Sequence, residues 1–340
     1  MNRRDFIQWS SAAAACGLAP HAFANDAAVT TAIYPGSWEE AYRSIVAPAL
    51  KKDAGVELRM QSLWTVDQIA KARAARGRAP FDTFILDPGP RVTAIESGLF
   101  EKFDASRLKN ASKLPAGMID AHGVNVAGQF VGIAYNPKKF AKPPAGWKDL
   151  FSEPYVSRLG LTGFQTTFGT VSIIEIAKAF GGSETNVEPF FTELKKVLPK
   201  VAVIGNSASM PSMFQQGQCD VMYTNTQTVG TLKAKGVDIE MATPSSGLVA
   251  FFTTFHIAKG SKNVDNAYKF IDAAISTPMQ QQLMASPYFM APVNSEVNLA
   301  NAGLPLRSLD EMKSMVQHDW TKINPLRAEW IERFNREVAR

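Results

Sequence analysis

The sequence predicts an α/β fold of two lobes, each a mainly parallel sheet flanked by helices. Three observations lead there. From residue 29 onward, short β-rich apolar runs alternate with segments of helical period. That β-α-β-α-β order calls for parallel strands joined by crossover helices. About 316 residues remain after an N-terminal export segment, more than one hydrophobic core usually serves.

The elements follow in order. VTTAIY reads as a strand, PGSWEEAYRSIVAPALKKDAG as a helix that Gly55 stops, and VELRMQS as a second strand. In TVDQIAKARAARG, Thr65 is the expected N-cap, with Asp67 in the first turn. FDTFILD is a third strand, ending at Asp87 before the Pro-Gly-Pro break and the helix RVTAIESG. A strand at QFVGIAYNP opens the second half, RLGLTG is another, and QTTFGTVSIIEIAKAFGG is an apolar helix closed by two glycines. The strand CDVMYT leads into a helix beginning among Asn225, Thr226, Gln227 and Thr228. LVAFFTTFHIAKG is a long strand and NVDNAYKFIDAAIST a helix, and Pro325 is expected to break the C-terminal amphipathic stretch.

Composition sets the compartment. MNRRDFIQWSSAAAACGLAPHAFA carries the pair Arg3 and Arg4, an alanine-rich stretch and the small-x-small end Ala22-Phe23-Ala24. It reads as a removable signal of the twin-arginine kind, and so as export to a bacterial periplasm with cleavage after about Ala24. The net charge then falls from +5 to +4, because Arg3, Arg4 and Asp5 leave together. Lys and Arg are scattered. The run KARAARGR suits a solvated helix face, and no nucleic-acid partner is expected. Cys219 is the one cysteine beyond the signal, which excludes an intramolecular disulfide and leaves core burial to hold the fold. No apolar run after the signal is long enough to span a bilayer.

In open parallel sheets the crevice beyond the carboxyl ends of the strands receives ligands, because helix N-termini aim unpaired N–H groups into it. Asp87 stands at such an end, where capping the next helix and touching a ligand are compatible roles. Arg91, one turn further on, is set aside as a solvated cation.

Several phrases resemble the extracellular solute-binding proteins that feed ATP-driven bacterial importers, in the branch that includes polyamine and ferric-ion receptors. They are FDTFILDPGPRVTAIESGLFEKFD, VGIAYNP, PPAGWKDLFSEPYVSRLGLTG, MFQQGQCDVMYTN, KAKGVDIEMATPSSG and HIAKGSKNVDNAYKFIDAAISTPMQQQLM, matching in order across nearly the whole exported chain. The resemblance implies two lobes joined by crossing strands, here VGIAYNP and FFTTFHIA, with the ligand held between them. The expected division is residues 25–132 with about 256–300 in one lobe, and 133–255 with about 301–340 in the other. It also implies an inner-membrane ABC permease as partner, a small-molecule ligand and a monomeric binding protein without a cofactor.

The departures from the family's patterns bear on the ligand. Polyamine receptors of this branch use carboxylates and aromatic faces, as a chain of ammonium groups requires. Where they carry acids, LTGFQTTFG presents Gly163, Gln165, Thr166 and Thr167, and AFFTTF keeps an aromatic at Phe251 but has Thr253 at the acid position. Ferric receptors use adjacent tyrosines, whereas CDVMYTNTQ offers Tyr223 alone, and His122, His256 and His318 are far apart, so no metal is expected. What remains are helix starts rich in neutral hydrogen-bonding groups, Ser37, Thr65, Thr166, Thr167, Asn225, Thr226 and Gln227, which favour a carboxylate, phosphonate or zwitterion. Trp38 and Trp64 are candidate apolar walls beside strand-to-helix turns. The expected ligand set is therefore Ser37, Trp38, Trp64, Asp87, Gln165, Thr166, Thr167, Asn225, Thr226, Phe251 and Thr253. A putrescine-type polyamine site is the alternative. A periplasmic hydrolase is the weaker one, since the chain has no G-x-S-x-G elbow, P-loop or dinucleotide fingerprint, and an enzyme is not expected.

Overall fold

A computed structural model describes residues 27–300, 303–304 and 306–339; the expected export segment lies outside the described residues. The strands are β1 (Ala28–Ile33), β2 (Glu57–Ser62), β3 (Thr83–Leu86), β4 (Ile119–Asp120), β5 (Gly123–Tyr135), β6 (Leu159–Leu161), β7 (Val203–Ile204), β8 (Val221–Asn225), β9 (Glu240–Ala242) and β10 (Val249–Ile257). The helices are α1 (Ser37–Ala41) and α2 (Ala47–Ala54), joined by a π-helical turn, then α3 (Thr65–Ala74), α4 (Pro88–Glu96), α5 (Thr167–Ala179), α6 (Glu188–Val197), α7 (Met210–Gln215), α8 (Thr226–Ala234), α9 (Val264–Ala274), α10 (Thr277–Met284) and α11 (Trp320–Val338).

Both halves contribute to one hydrogen-bonded path, β2-β1-β3-β10-β5-β8-β6-β7, with β4 and β9 added to β5. The outer triplets β2-β1-β3 and β8-β6-β7 are parallel, as crossover helices require. β10 and β5 run antiparallel to each other and to the triplets they adjoin. The two expected crossing strands are thus the centre of the sheet, and β5 begins earlier than its apolar run suggests. One apolar core gathers Ile33, Tyr42, Ile85, Phe255 and Phe270 on the β2-β1-β3 side. A second gathers Ile133, Phe164, Phe190, Phe191, Trp330 and Phe334 on the other. Every residue of β3 is buried, which accounts for its apolar run Phe84-Ile85-Leu86. Among the described residues, no helix is long and apolar enough to cross a membrane.

Local signals mostly hold. Gly55 ends α2 in the left-handed conformation, φ 67°. Thr166 and Asn225 cap α5 and α8 by accepting from the backbone N–H of Gly169 and Thr228. Three expectations fail. Trp64, not Thr65, holds the N-cap position of α3, because the Thr65 hydroxyl donates to the Tyr34 hydroxyl, 3.2 Å away. Pro325 does not break the C-terminal segment: α11 continues through it, and burial of Trp320, Ile323, Trp330 and Phe334 on one face outweighs the lost backbone bond. Arg91 is likewise not a solvated cation, being ion-paired with Asp120.

α11 belongs to the second core yet reaches α4. Asn324 Nδ2 donates to Thr93 Oγ1 at 2.9 Å, and the Trp320 ring lies over Gly89, where an added Cβ would sit 2.8 Å from a ring carbon. Gly89→Ala is accordingly expected to destabilise the protein by about 1–3 kcal/mol through overpacking. Urea unfolding measures this, and an unchanged midpoint would mean that α11 withdraws from α4 at no cost.

Candidate functional site

The site is assembled at strand ends. Asp87 follows β3 and occupies the N-cap position of α4, but its carboxylate makes no cap hydrogen bond. It turns instead toward hydroxyl donors. Thr253 Oγ1, fully buried on β10, donates to Asp87 Oδ1 at 2.9 Å. The hydroxyls of Thr167, at the start of α5, and Tyr34, just after β1, lie close enough to the carboxylate to favour its charged form. Burial raises the Asp87 pKa above the usual carboxylate range, opposed by these three hydroxyls and by the nearby guanidinium of Arg327. Burial and the Asp87 charge together hold the Tyr34 phenol well above its ordinary value.

The donors behind Asp87 form a directed chain. The Thr228 N–H donates to Asn225 Oδ1 at 2.9 Å, and Asn225 Nδ2 to Gln129 Oε1 at 2.9 Å. Gln129 Nε2 then donates to Thr253 Oγ1 at 2.8 Å, and Thr253 to Asp87. The chain runs from the start of α8 across β5 and β10 to the start of α4, and each link polarises the next. On the other side the Thr65 hydroxyl donates to the Tyr34 hydroxyl, which lies beside the carboxylate.

Arg327, on α11, faces this group. Its Nε donates to the Phe164 carbonyl at 3.0 Å and to Thr170 Oγ1 at 3.1 Å, and its Nη2 to the Gln165 carbonyl at 2.7 Å. Burial pushes its pKa down to about 10, with Asp87 pulling the other way, so it stays charged at neutral pH. Aromatic rings border the far side: Tyr34 meets Trp38 edge-on with centroids 5.8 Å apart and stacks on Trp64 at 6.1 Å. Trp38 is itself buried and stacked on Tyr42, whereas Trp64 is 57% exposed.

The structure therefore brings Asp87, Thr167 and Thr253 into direct contact, ties Asn225 to them through Gln129, and sets Trp38 and Trp64 beside Tyr34. Thr166 adjoins them and bonds Ser207 at 3.0 Å, and Ser37 and Thr226 lie where α8 meets α1, with Gln227 Nε2 reaching Ser37 Oγ at 3.5 Å. Gln165 enters by its backbone carbonyl, which accepts from Arg327, while its exposed amide bonds Asn335; Phe251 pairs with Gln129 across β10 and β5 and packs in the second core. Sequence reasoning missed Tyr34, Gln129 and Arg327. Tyr34 sits at a strand end as Asp87 does and was open to the same argument. Cys219 is buried and its thiol is pushed up to about 12 by burial, a packed side chain without nucleophilic character. Among the described residues no cluster of three or more His, Cys, Asp or Glu could hold a metal ion.

Residues 45–305 match the family model of the bacterial extracellular solute-binding proteins. The chain belongs to this family. Among solute-binding relatives, a maltotriose-binding protein of Pyrococcus abyssi is 23% identical over 69% of the chain, but the match spans only 54% of that protein. A putrescine/cadaverine-binding protein of Pseudomonas aeruginosa is also 23% identical, over 71% of the chain and 73% of its own length. Among solved structures, a GABA receptor superposes with a TM-score of 0.76 at 19% identity, covering 93% of this solute-binding chain and 98% of its own. That similarity establishes the two-lobed fold.

Proposed function

We propose that the chain is the periplasmic binding component of an ABC importer, which closes its two lobes on a small carboxylate, phosphonate or zwitterion and delivers it to an inner-membrane permease. The lobes comprise residues 25–132 with about 256–300, and 133–255 with about 301–340; two separate apolar cores support that division. Export uses the twin-arginine-like signal that ends near Ala24, and the protein acts as a monomer, binding reversibly without turnover.

The observation that carries the ligand class is the state of Asp87. Its carboxylate accepts from Thr253, has the Thr167 and Tyr34 hydroxyls beside it and is faced by a guanidinium, so it offers little free countercharge to a polycation. The helix starts around it present neutral donors. GABA, the molecule named for the structural neighbour, is a zwitterion, so a ligand of this kind is within the scope of the fold.

A thermal-shift screen of the exported chain against carboxylates, phosphonates, zwitterions, sugars and polyamines tests this, because ligand at one hundred times its Kd adds about 2.7 kcal/mol to stability. Stabilisation by an anion or zwitterion is expected. Stabilisation by polyamines alone would overturn the ligand class. Trp64→Ala should leave the free protein within about 0.5 kcal/mol of wild type, as an exposed side chain allows, yet weaken ligand binding about tenfold. Calorimetry reads both, and full affinity would remove Trp64 from the site.

A further inference from the structure

Arg327 is held unusually firmly for a cation facing a binding site. Two of its nitrogens are committed to Phe164 and Gln165, just before α5, and to Thr170 in its first turn. Its Nη1 is directed to the first turn of α4, where it lies 3.5 Å from the place a Cβ on Gly89 would take. Asp87 holds the N-cap position of that same helix. A planar fork anchored on two of its three nitrogens cannot swing away as a lysine would.

The geometry points to Arg327 as a built-in substitute for a ligand ammonium: it supplies Asp87 with the countercharge a bound cation would otherwise provide, and so selects zwitterions and monoanions over diamines. This rests on the binding-protein reading above and names the residue that sets its specificity. A diamine approaching Asp87 meets a fixed like charge in a partly buried site, where repulsion is much stronger than in water. A ligand of zero or negative charge meets a balanced pair.

The test compares wild type, Arg327→Met, Arg327→Met with Asp87→Asn, and Asp87→Asn alone, titrated with putrescine and with acetate. Wild type should reject putrescine. Arg327→Met should bind it about tenfold or more tighter than wild type, and adding Asp87→Asn should abolish the gain. An Arg327→Met protein that melts cooperatively but gains no putrescine binding overturns the inference. Should Arg327→Met fail to fold, Asp87→Asn carries the test in reverse: it leaves Arg327 unbalanced, so acetate should stabilise it more than wild type, and an equal response overturns the inference. A wild type stabilised by putrescine and by no anion or zwitterion is a different result, which overturns the ligand class itself.

Discussion

Thr253→Asp is expected to be among the most damaging single changes at the site. Thr253 is fully buried, and its hydroxyl donates to Asp87 while accepting from Gln129. An aspartate there places a second carboxylate against the first. Two such groups cannot both ionise cheaply, and a buried unpaired charge typically costs 3–5 kcal/mol, so a loss of about 3 kcal/mol or more is expected at neutral pH. The sign with pH is distinctive. The new carboxyl has a folded pKa raised above its unfolded value near 3.9, so the penalty is greatest above the folded pKa and disappears below the unfolded one. The variant should therefore regain stability relative to wild type on acidification. It should also bind anionic ligands more weakly. Thr253→Val is the control: it loses the donor to Asp87 and the acceptor for Gln129, about 1–3 kcal/mol, and adds no second carboxylate, so its pH dependence has the same sign but is weaker. Urea unfolding at several pH values separates the two, and a Thr253→Asp protein as stable as wild type would disprove the buried chain.

The second large effect lies away from the site. His256 is fully buried on β10, its ring stacked on Phe100 at 4.0 Å, with Nδ1 2.8 Å from the His122 carbonyl. Burial, with the Arg91 charge adding to it, pushes the imidazole down to about 3. The unfolded chain protonates near pH 6.5 and the folded one does not. Stability is thus fully present above about pH 6.5 and is lost as pH falls toward 3, by on the order of 3–5 kcal/mol from this residue. His256→Gln cannot titrate and should show a flatter loss between pH 6.5 and 4 in urea unfolding. Parallel curves for the two proteins would exclude His256 as the cause.

What could be read from the sequence was short-range. Strand ends, helix caps and glycine stops depend on a few adjacent residues, so Asp87, Thr166 and Asn225 were found at their helix starts and β10 within its expected stretch, though shorter. The site's connections are long-range. Gln129 joins Asn225 and Thr253 across the central strands, and Arg327 arrives from the last helix, about 240 residues after Asp87, with no local mark beyond an amphipathic pattern. Thr65 misled for the same reason: its hydroxyl had a competing partner in Tyr34 that lies 31 residues away.

The position of β10 also governs how the chain can fold. It is the last strand in sequence, yet it lies between β3 and β5 at the middle of the sheet. A chain truncated before residue 249 would leave β3 with one bare edge and β5 with another, two long-lived invitations to pair with other chains. Neither side of the sheet has its full set of neighbours until these nine residues are in place, so the two halves share one completing strand.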